Sequence, residues 1–318
     1  MSGTTLVTGA TGFVGGHLLD RLVDRAPVVA WYRPNGQPPD PARHIDWRPV
    51  DLLDRAAVDD AIADVSPARV FHVAGAPQVA TSWQSAVPHL RINVLGTHYL
   101  LDAIREAAPE CRVLVVSSAQ IYQPSYEPLD EDAPLVPATP YGLSKLAQDQ
   151  LALRAAAEYD LDIVVARPFN HAGPRQSPAF AVPSFARQIA WIEAGLIPPA
   201  IRTGNLETRR DLTDVRDVVD AYDRLMDDAP RARPYNICSG RAWRIGDLLE
   251  ELLHLSPAAI SVEPDPALLR PADVPVVQGD ASRIRAELGW VPQLPIEQML
   301  ADTLDWWRRE VRDGRSRP

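Results

Sequence analysis

The sequence has little of what several classes of protein require. Its 318 residues include only two cysteines, Cys111 and Cys238, which lie far apart in the chain. Two distant thiols form neither a disulfide framework nor a CxxC zinc knuckle, so we expect a reduced, cytoplasmic setting. His171 has no second histidine at metal-ligand spacing, so we expect no metal site.

Basic clusters and long apolar runs are also missing. Thirty-two Lys and Arg oppose 42 Asp and Glu, a net charge of -10, and the basic residues are scattered. This distribution gives no electrostatic footprint for a nucleic acid or an anionic membrane surface. No apolar run approaches the ~20 residues of a membrane span, and the first residues do not resemble a signal peptide. We expect neither a nucleic-acid nor a membrane partner.

What the sequence does contain is a regular alternation of short apolar runs and helical segments. Repeated strand–helix–strand units predict a parallel sheet with helices on both faces. We expect an α/β fold, a Rossmann-type doubly wound parallel sheet with a smaller C-terminal substrate-binding lobe. Residues 1–169 and 212–238 should form the dinucleotide-binding domain, and residues 170–211 and 239–318 the interleaved lobe. Buried strands are predicted at 5–8, 28–32, 70–73, 113–117 and 163–166.

The first strand runs into a glycine-rich turn at residues 9–15, Gly-Ala-Thr-Gly-Phe-Val-Gly, and a helix starts at once. Glycines there let the backbone approach a pyrophosphate, whose charge the helix N-terminus stabilises. Tight turns also use glycine, but the strand before and the helix after this turn indicate a dinucleotide-binding motif. The residues predicted to contact a dinucleotide are Gly9, Thr11, Gly12, Phe13, Val14 and Gly15.

The end of the second strand predicts which dinucleotide binds. NAD sites usually carry Asp or Glu there for the ribose 2′-hydroxyl, whereas Arg accommodates the 2′-phosphate of NADP. Here the residue is Arg33, and no carboxylate follows until Asp40. We expect NADP(H) to be preferred, with NAD(H) possible if Arg33 is only a solvated loop charge. Asp51 and Leu52 are expected beside the adenine, although Asp51 can instead cap the next helix.

A phenol and an ammonium, Tyr141 and Lys145, stand four residues apart on one face of a predicted helix. A free tyrosine has a pKa near ~10, and a neighbouring lysine moves it toward neutrality by favouring the phenolate. Ser118 ends an earlier strand, where its hydroxyl can hydrogen-bond a substrate oxygen. A Tyr/Lys pair also occurs by chance in helices, so the combination with Ser118 is what predicts a catalytic set.

These motifs resemble the extended short-chain dehydrogenase/reductase family of sugar-nucleotide epimerases, dehydratases and reductases. Ala74-Gly75-Ala76 and Asn93 also match that family, and the resemblance covers almost the whole chain. It implies hydride transfer at a sugar C4, a nucleotide-sugar substrate and a homodimer with a four-helix interface. A binding-only protein would not need the three catalytic side chains. The further cofactor contacts that the resemblance implies are Ala74, Gly75, Ala76, Asn93, Tyr141, Lys145 and Arg167.

The residues after Ser118 bear on which reaction is catalysed. Dehydratases of the family carry acidic residues there, whereas this chain has Ala119 and Gln120, which cannot take a proton from C5. Epimerases of the family usually carry an acidic residue at the position of Arg33. A reductase that consumes NADPH needs only Ser, Tyr and Lys. We therefore expect a reductase, with a UDP-hexose 4-epimerase as the alternative and a 4,6-dehydratase less favoured.

Segments of the second half are most similar to reductases that convert GDP-4-keto-6-deoxy-D-mannose into GDP-D-rhamnose. They lie at 167–176, 184–190, 210–217, 235–240 and 265–271. Guanidinium groups clamp a diphosphate bidentately, although each arginine can instead form a surface ion pair. The expected substrate ligands are Ser118, Asn170, Arg187, Arg210 and Arg270.

Overall fold

The computed structural model describes residues 3–25, 27–36, 44–77, 79–269 and 274–318. The strands are β1 Thr5–Thr8, β2 Val28–Tyr32, β3 Ile45–Pro49, β4 Arg69–His72, β5 Arg112–Val116, β6 Ile163–Pro168, β7 Asn170–Ala172, β8 Ala200–Thr203, β9 Arg209–Asp214, β10 Arg233–Ile237, β11 Ala242–Arg244, β12 Ser261–Pro264 and β13 Val276–Val277. The helices are α1 Phe13–Leu22, α2 Arg55–Val65, α3 Val79–Gln84, α4 Val87–Leu90, α5 Gly96–Ala107, α6 Pro140–Glu158, α7 Ala181–Glu193, α8 Val215–Asp228, α9 Ile245–His254, α10 Ser282–Leu288 and α11 Ile296–Arg312. A π-helical turn, Arg91–Leu95, joins α4 to α5.

The large sheet has seven parallel strands in the order β10-β6-β5-β4-β1-β2-β3. The chain starts at β1, winds outward through β2 and β3, and then returns to build β4, β5, β6 and β10 on the other side. This confirms the predicted doubly wound α/β fold. The direction of winding reverses between β1 and β4, and open parallel sheets bind their ligands outside the strand ends at that point.

The central strands are buried on both faces because helices cover each side of the sheet. Val113 and Val115 of β5 face a core shared with α5 and α6, whereas Leu114 faces the core shared with α1 and α8. Successive side chains of a strand point to opposite faces, so a strand between two apolar layers has a continuous apolar run. This explains why the sequence located β1 and β2 at their observed bounds.

The smaller lobe has two sheets of its own, one of four strands and one of two, and its own core. β9 lies between β11 and β13 and also pairs with β7, while β12 pairs with β8. Side chains of α7, α9 and α11, such as Ile189, Leu248 and Leu300, pack together in this lobe. None of the described helices is long and apolar enough to cross a bilayer.

The expected domain division differs from the structure at two places. β9 runs through the predicted boundary after residue 211 and pairs wholly within the smaller lobe. Ile284 and Trp290, assigned to the lobe, instead pack under the large sheet with Tyr222 and Tyr235. The physical reason is that α10 folds back against β10 of the large sheet. A division of the sequence into consecutive segments does not predict such a return of the chain.

Candidate active site

A cleft of about 540 Å³ opens at the carboxyl ends of the strands of the large sheet. It is bounded by the turns that follow β1, β2, β3, β4 and β5, by the start of α6 and by β7. Most residues that the sequence assigned to the site meet there, although they come from distant parts of the chain. The predicted residues that line the cleft are Gly9, Thr11, Gly12, Phe13, Val14, Gly15, Arg33, Asp51, Leu52, Ala74, Gly75, Ala76, Ser118, Tyr141, Lys145 and Asn170.

The glycine turn is built for close backbone approach. Gly9 has φ +67°, and a Cβ there would lie 2.6 Å from Ala74 Cα. A Cβ at Gly15 would lie 2.3 Å from Gly9 O, so α1 can start directly against β1 only with glycine. Gly12 caps α1 without a side chain, and no acidic residue stands in the first turn. The first N–H groups of α1 therefore face the cleft unopposed, which fits the pyrophosphate of a dinucleotide.

The end of the cleft beyond β2 fits an adenosine. Trp31, Val50, Leu52 and Ile92 give it an apolar lining, and Arg33 stands exposed at its rim. Asp51 accepts a hydrogen bond from Leu53 N at 2.9 Å. The N-cap of α2 is Asp54, whose carboxylate accepts from Ala57 N, so capping that helix does not occupy Asp51.

The N-terminus of α6 is fixed by residues that flank Tyr141. Thr139 caps the helix by accepting a hydrogen bond from Gly142 N at 2.9 Å, and Pro140 occupies its first turn. A Cβ at Gly142 would lie 2.3 Å from Gln120 O. Gly142 thus lets α6 pack against the turn that follows β5, which brings the Tyr141 phenol to Ser118. This role of Gly142 was not predicted from the sequence, although a glycine directly after the tyrosine is a visible signal of close packing.

The Ser118 hydroxyl is oriented by its own backbone. It accepts a hydrogen bond from Gln120 N at 3.2 Å and is a hydrogen-bond partner of the Tyr141 phenol. Burial raises the pKa of Tyr141 above its ordinary value, and the bond with Ser118 opposes that rise. Tyr141 is therefore a neutral phenol at pH 7 and can donate a proton.

Lys145 lies one helical turn after Tyr141 and is nearly buried. Its Nζ donates to Val116 O and to Gln148 Oε1, each at 2.7 Å. Burial lowers the pKa of Lys145 to about 7, and the charge of Asp149 partly offsets the effect. The lysine is thus held at the floor of the cleft with its charge poised near neutral pH.

Asn93 does not line the cleft, contrary to the predicted cofactor contact. It is fully buried, with Oδ1 accepting from Ala76 N at 3.0 Å and Nδ2 donating to Ser144 Oγ at 2.9 Å. Its side chain ties the turn after β4 to α6. Asn93 therefore shapes the site indirectly through the residues that line it.

Arg167 is likewise not placed to bind a cofactor. Its guanidinium is 2% exposed and binds both carboxylate oxygens of Asp149 at 2.9 Å. The remaining Nη1 donates to Tyr122 Oη and to Glu131 O, both at 3.0 Å. These buried partners engage the guanidinium behind the cleft, so the structure does not bring Arg167 into the lining of the cleft.

The expected substrate arginines are not gathered at the cleft. The Arg187 guanidinium lies over the Trp191 ring at 4.3 Å, inside the smaller lobe. Arg210 Nη1 donates to Val274 O at 2.7 Å, and neither arginine lines the cleft. Arg270 lies outside the described residues. The lobe instead contributes His171, Gln176 and Phe180 beside Asn170, which sequence reasoning missed although they follow the carboxyl end of β6.

His171 and Phe13 close the cleft on the side of the smaller lobe. Their rings stack with centroids 6.0 Å apart, and His171 Nδ1 donates to Phe169 O at 3.0 Å. Burial lowers the pKa of His171, so the ring is neutral. Within the described ranges no group of three or more His, Cys, Asp or Glu is placed to hold a metal ion.

Comparison with known proteins decides the family. A family model described as GDP-mannose 4,6 dehydratase matches residues 6–303. The chain belongs to this family. The resemblance to the extended short-chain dehydrogenases/reductases, drawn from the glycine turn and the Ser/Tyr/Lys set, is thereby confirmed.

The proteins to which this chain is similar include both reductases and epimerases. The GDP-6-deoxy-D-mannose reductase of Pseudomonas aeruginosa is 34% identical over 98% of this chain and 100% of its own. The structure of RMD from Pseudomonas aeruginosa complexed with NADPH aligns with a TM-score of 0.83 at 32% identity, covering 97% of this chain and 100% of that one. The UDP-glucose 4-epimerase of Thermus thermophilus, solved with NAD, has a TM-score of 0.84 at 26% identity, covering 96% and 99%.

Proposed function

We propose that the protein uses NADPH to reduce the C4 ketone of an NDP-4-keto-6-deoxyhexose, converting GDP-4-keto-6-deoxy-D-mannose into GDP-D-rhamnose. The observation that carries this proposal is a cleft that holds Ser118, Tyr141 and Lys145 together, but has Ala119 and Gln120 where an elimination would need acid and base. The full-length likeness to a reductase of this type supports the same assignment.

The mechanism follows from the positions of the three side chains. NADPH, when bound, supplies the hydride. Tyr141 gives its phenolic proton to the oxygen of the C4 ketone, since its raised pKa keeps it protonated. Ser118, whose Oγ accepts from Gln120 N and which is a hydrogen-bond partner of the Tyr141 phenol, would turn its O–H to that oxygen and polarise the carbonyl once the ketone is bound. The Lys145 ammonium, one turn away, stabilises the phenolate that remains and anchors the nicotinamide ribose.

Dehydration, the reaction in the family's description, is not what this cleft supports best. Removing water across C5 and C6 needs a base for the C5 proton and an acid for the leaving hydroxyl. Ala119 carries no such group, and the amide of Gln120 is neither an acid nor a base at neutral pH. Both residues line the cleft beside Ser118. Simple ketone reduction makes no demand on these two positions.

NADP(H) is the cofactor that the adenosine end of the cleft favours. Arg33 stands at the rim, where its guanidinium can pair with a ribose 2′-phosphate, and an acidic residue there would repel it. The Pseudomonas aeruginosa RMD holds NADPH, whereas the Thermus thermophilus epimerase holds NAD. We therefore propose NADP(H) as preferred and NAD(H) as a weaker substitute.

The two lobes divide the binding between them. We assign the dinucleotide to the large sheet and the sugar nucleotide to the smaller lobe, where Asn170 reaches the cleft. Arg210 binds the carbonyl of Val274 next to the undescribed residues 270–273. Arg187, Arg210 and Arg270 remain the predicted ligands of a diphosphate in this proposal.

We also propose a cytoplasmic homodimer. The expected interface is a four-helix bundle of α5 and α6 from two copies. The support for this interface is the family resemblance, because the exposed Leu143 and Tyr159, on α6 and at its C-cap, lie on nearly opposite sides of the helix. Both cysteines are free thiols, which suits a reducing compartment. Light scattering tests the assembly, and a monomeric mass would contradict the dimer.

The assay for the proposed reaction follows NADPH oxidation with the purified protein. GDP-4-keto-6-deoxy-D-mannose should support it, and the dTDP and UDP analogues should not. NMR of the product at C4 identifies the sugar formed. Interconversion of two UDP-hexoses without net NADPH consumption would establish the epimerase instead. Release of water from GDP-mannose would establish a dehydratase.

A further inference from the structure

A line of fully buried polar side chains runs from Lys145 to the glycine turn. Gln148 Oε1 accepts from Lys145 Nζ at 2.7 Å, and Gln148 Nε2 donates to Thr97 Oγ1 at 2.8 Å. His72 Nε2 lies 2.8 Å from the same Thr97 oxygen, and His72 Nδ1 lies 2.8 Å from Thr8 Oγ1. Gln148, Thr97, His72 and Thr8 are each 0% exposed. Thr8 directly precedes Gly9, so the line connects the catalytic lysine to the cofactor turn.

Counting hydrogens fixes the direction of every bond in this line. The Thr97 hydroxyl has one hydrogen, which it donates to Asn93 O at 2.7 Å. Its oxygen must therefore accept from both Gln148 and His72. Gln148 presents its NH₂ group to Thr97, so its carbonyl oxygen faces Lys145. His72 carries its proton on Nε2 and accepts from the Thr8 hydroxyl at Nδ1.

The groups around Lys145 compensate its charge only in part, through Asp149. Burial lowers the pKa of His72 to about 3, so this imidazole on β4 is neutral near pH 7. Asp149, on α6 itself, has both oxygens bound by Arg167 of β6. Tyr222 of α8, whose pKa burial raises, interacts with Tyr141 as a neutral phenol. The His89 ring of α4 packs edge-on against Tyr141 at 6.2 Å.

We propose that Gln148 is a positioning residue for the reaction. With Val116 O it holds two of the three N–H bonds of Lys145, leaving the third for the cleft. As a neutral amide it fixes the ammonium without cancelling its positive charge, which then acts on the Tyr141 phenolate. The inference rests on the proposed function, in which Tyr141 is the proton donor. A carboxylate here would hold Nζ equally well but would weaken the electric field of the ammonium. An aliphatic side chain would leave that field unchanged but would not hold Nζ.

Two substitutions separate these contributions. Gln148→Glu keeps the shape and adds a charge, whereas Gln148→Leu removes the hydrogen bonds. Gln150, exposed on the same helix, provides the matched controls Gln150→Glu and Gln150→Leu. For each variant we would measure thermal unfolding, NADPH affinity by intrinsic fluorescence, and the pH dependence of kcat/KM for ketone reduction.

Activity is lost as pH rises and Lys145, whose pKa burial lowers to about 7, gives up its charge. A carboxylate at position 148 keeps the ammonium protonated to higher pH, so the alkaline limb of Gln148→Glu should move upward by about one pH unit. Gln148→Leu should weaken NADPH binding about tenfold, because Lys145 is no longer held toward the ribose. The Gln150 variants should match the parent protein.

A merely structural Gln148 would give a different pattern. Both variants would then unfold at lower temperature while keeping the parent's pH profile and NADPH affinity, and that result would overturn the proposal. If the parent protein reduces no keto-sugar, the proposed function fails, and the pH dependence of NADP⁺ affinity then carries the test. That affinity should change as Lys145 loses its proton, at higher pH in Gln148→Glu than in the parent. An unchanged dependence would refute the role of Gln148.

Discussion

Arg167 binds both carboxylate oxygens of Asp149 at 2.9 Å in a pair that solvent hardly reaches, one turn of α6 beyond Lys145. The two residues come from different elements, the end of β6 and the middle of α6. The same guanidinium also donates to Tyr122 Oη and Glu131 O. It therefore joins the loop before α6, the helix itself and the sheet, and it holds the catalytic helix against β6.

Removing the arginine should destabilise the fold strongly. Arg167→Met leaves Asp149 buried without its ion-pair partner, which costs about 3–5 kcal/mol in the free energy of unfolding. Urea denaturation measures this. Arg154, also on α6, forms an exposed pair with Glu158, so Arg154→Met should cost no more than about 0.5 kcal/mol. Equal losses in the two variants would mean that Asp149 is solvated in solution.

The double variant Arg167→Met with Asp149→Leu tests the same pair from the other side. Because it removes both charges, it should recover part of the stability lost in the single variant. No recovery would mean that Arg167 acts through Tyr122 and Glu131, and not through its ion pair.

Tyr141 supplies the most direct test of the chemistry. Tyr141→Phe removes only the phenolic oxygen and should lower kcat for ketone reduction by about 10²–10⁴-fold, the range for loss of a general acid. NADPH binding and thermal unfolding should stay near the parent's. Tyr159, exposed where α6 ends, gives the control Tyr159→Phe with full activity. A fully active, folded Tyr141→Phe would remove Tyr141 from the mechanism.

Local pattern predicted the parts of this protein that depend on local physics. The glycine turn, Ser118, Tyr141 and Lys145 were located because each lies at a strand end or on a helix face whose position is readable from neighbouring residues. The surroundings of Arg167, Asn93 and Arg187 could not be predicted, because a long polar side chain takes its partner from the tertiary structure. Nothing near Arg167 in the sequence indicates that Asp149 lies beside it. Gln148 went unnoticed for the same reason, since its partner Thr97 lies on α5, far away in the sequence.

The lowered pKa of Lys145 gives stability a definite dependence on pH. In the folded protein Lys145 loses its proton near pH 7, whereas an unfolded lysine keeps it until about pH 10.4. Between these values the unfolded chain binds the additional proton, so this residue's contribution to folding stability rises with pH. Below pH 7 both states are protonated, and the cost of burying the charge is constant.

Lys145→Met isolates this contribution from all other titrating groups. The variant should be more stable than the parent at pH 6, since it buries no charge, and the advantage should shrink steadily between pH 7 and pH 10. Thermal unfolding of the two proteins without cofactor across that range measures it. A difference that does not change with pH would mean that Lys145 titrates at its ordinary pKa when folded.

Arg33 provides the test of cofactor preference. It stands at the rim of the adenosine end of the cleft and is exposed, so its substitution should leave the fold intact. Arg33→Asp replaces an attraction for the 2′-phosphate by a repulsion and should lower kcat/KM for NADPH by about tenfold or more. The value for NADH should change much less, because NADH lacks that phosphate. Raising the ionic strength should narrow the difference in kcat/KM for NADPH between parent and variant, since exposed charges are screened.

Arg312, whose side chain is 73% exposed near the end of α11, serves as the control for loss of a surface charge. If Arg33→Asp keeps the parent's ratio of NADPH to NADH activity, another residue recognises the 2′-phosphate, and the identity of the β2 terminal residue does not set the cofactor.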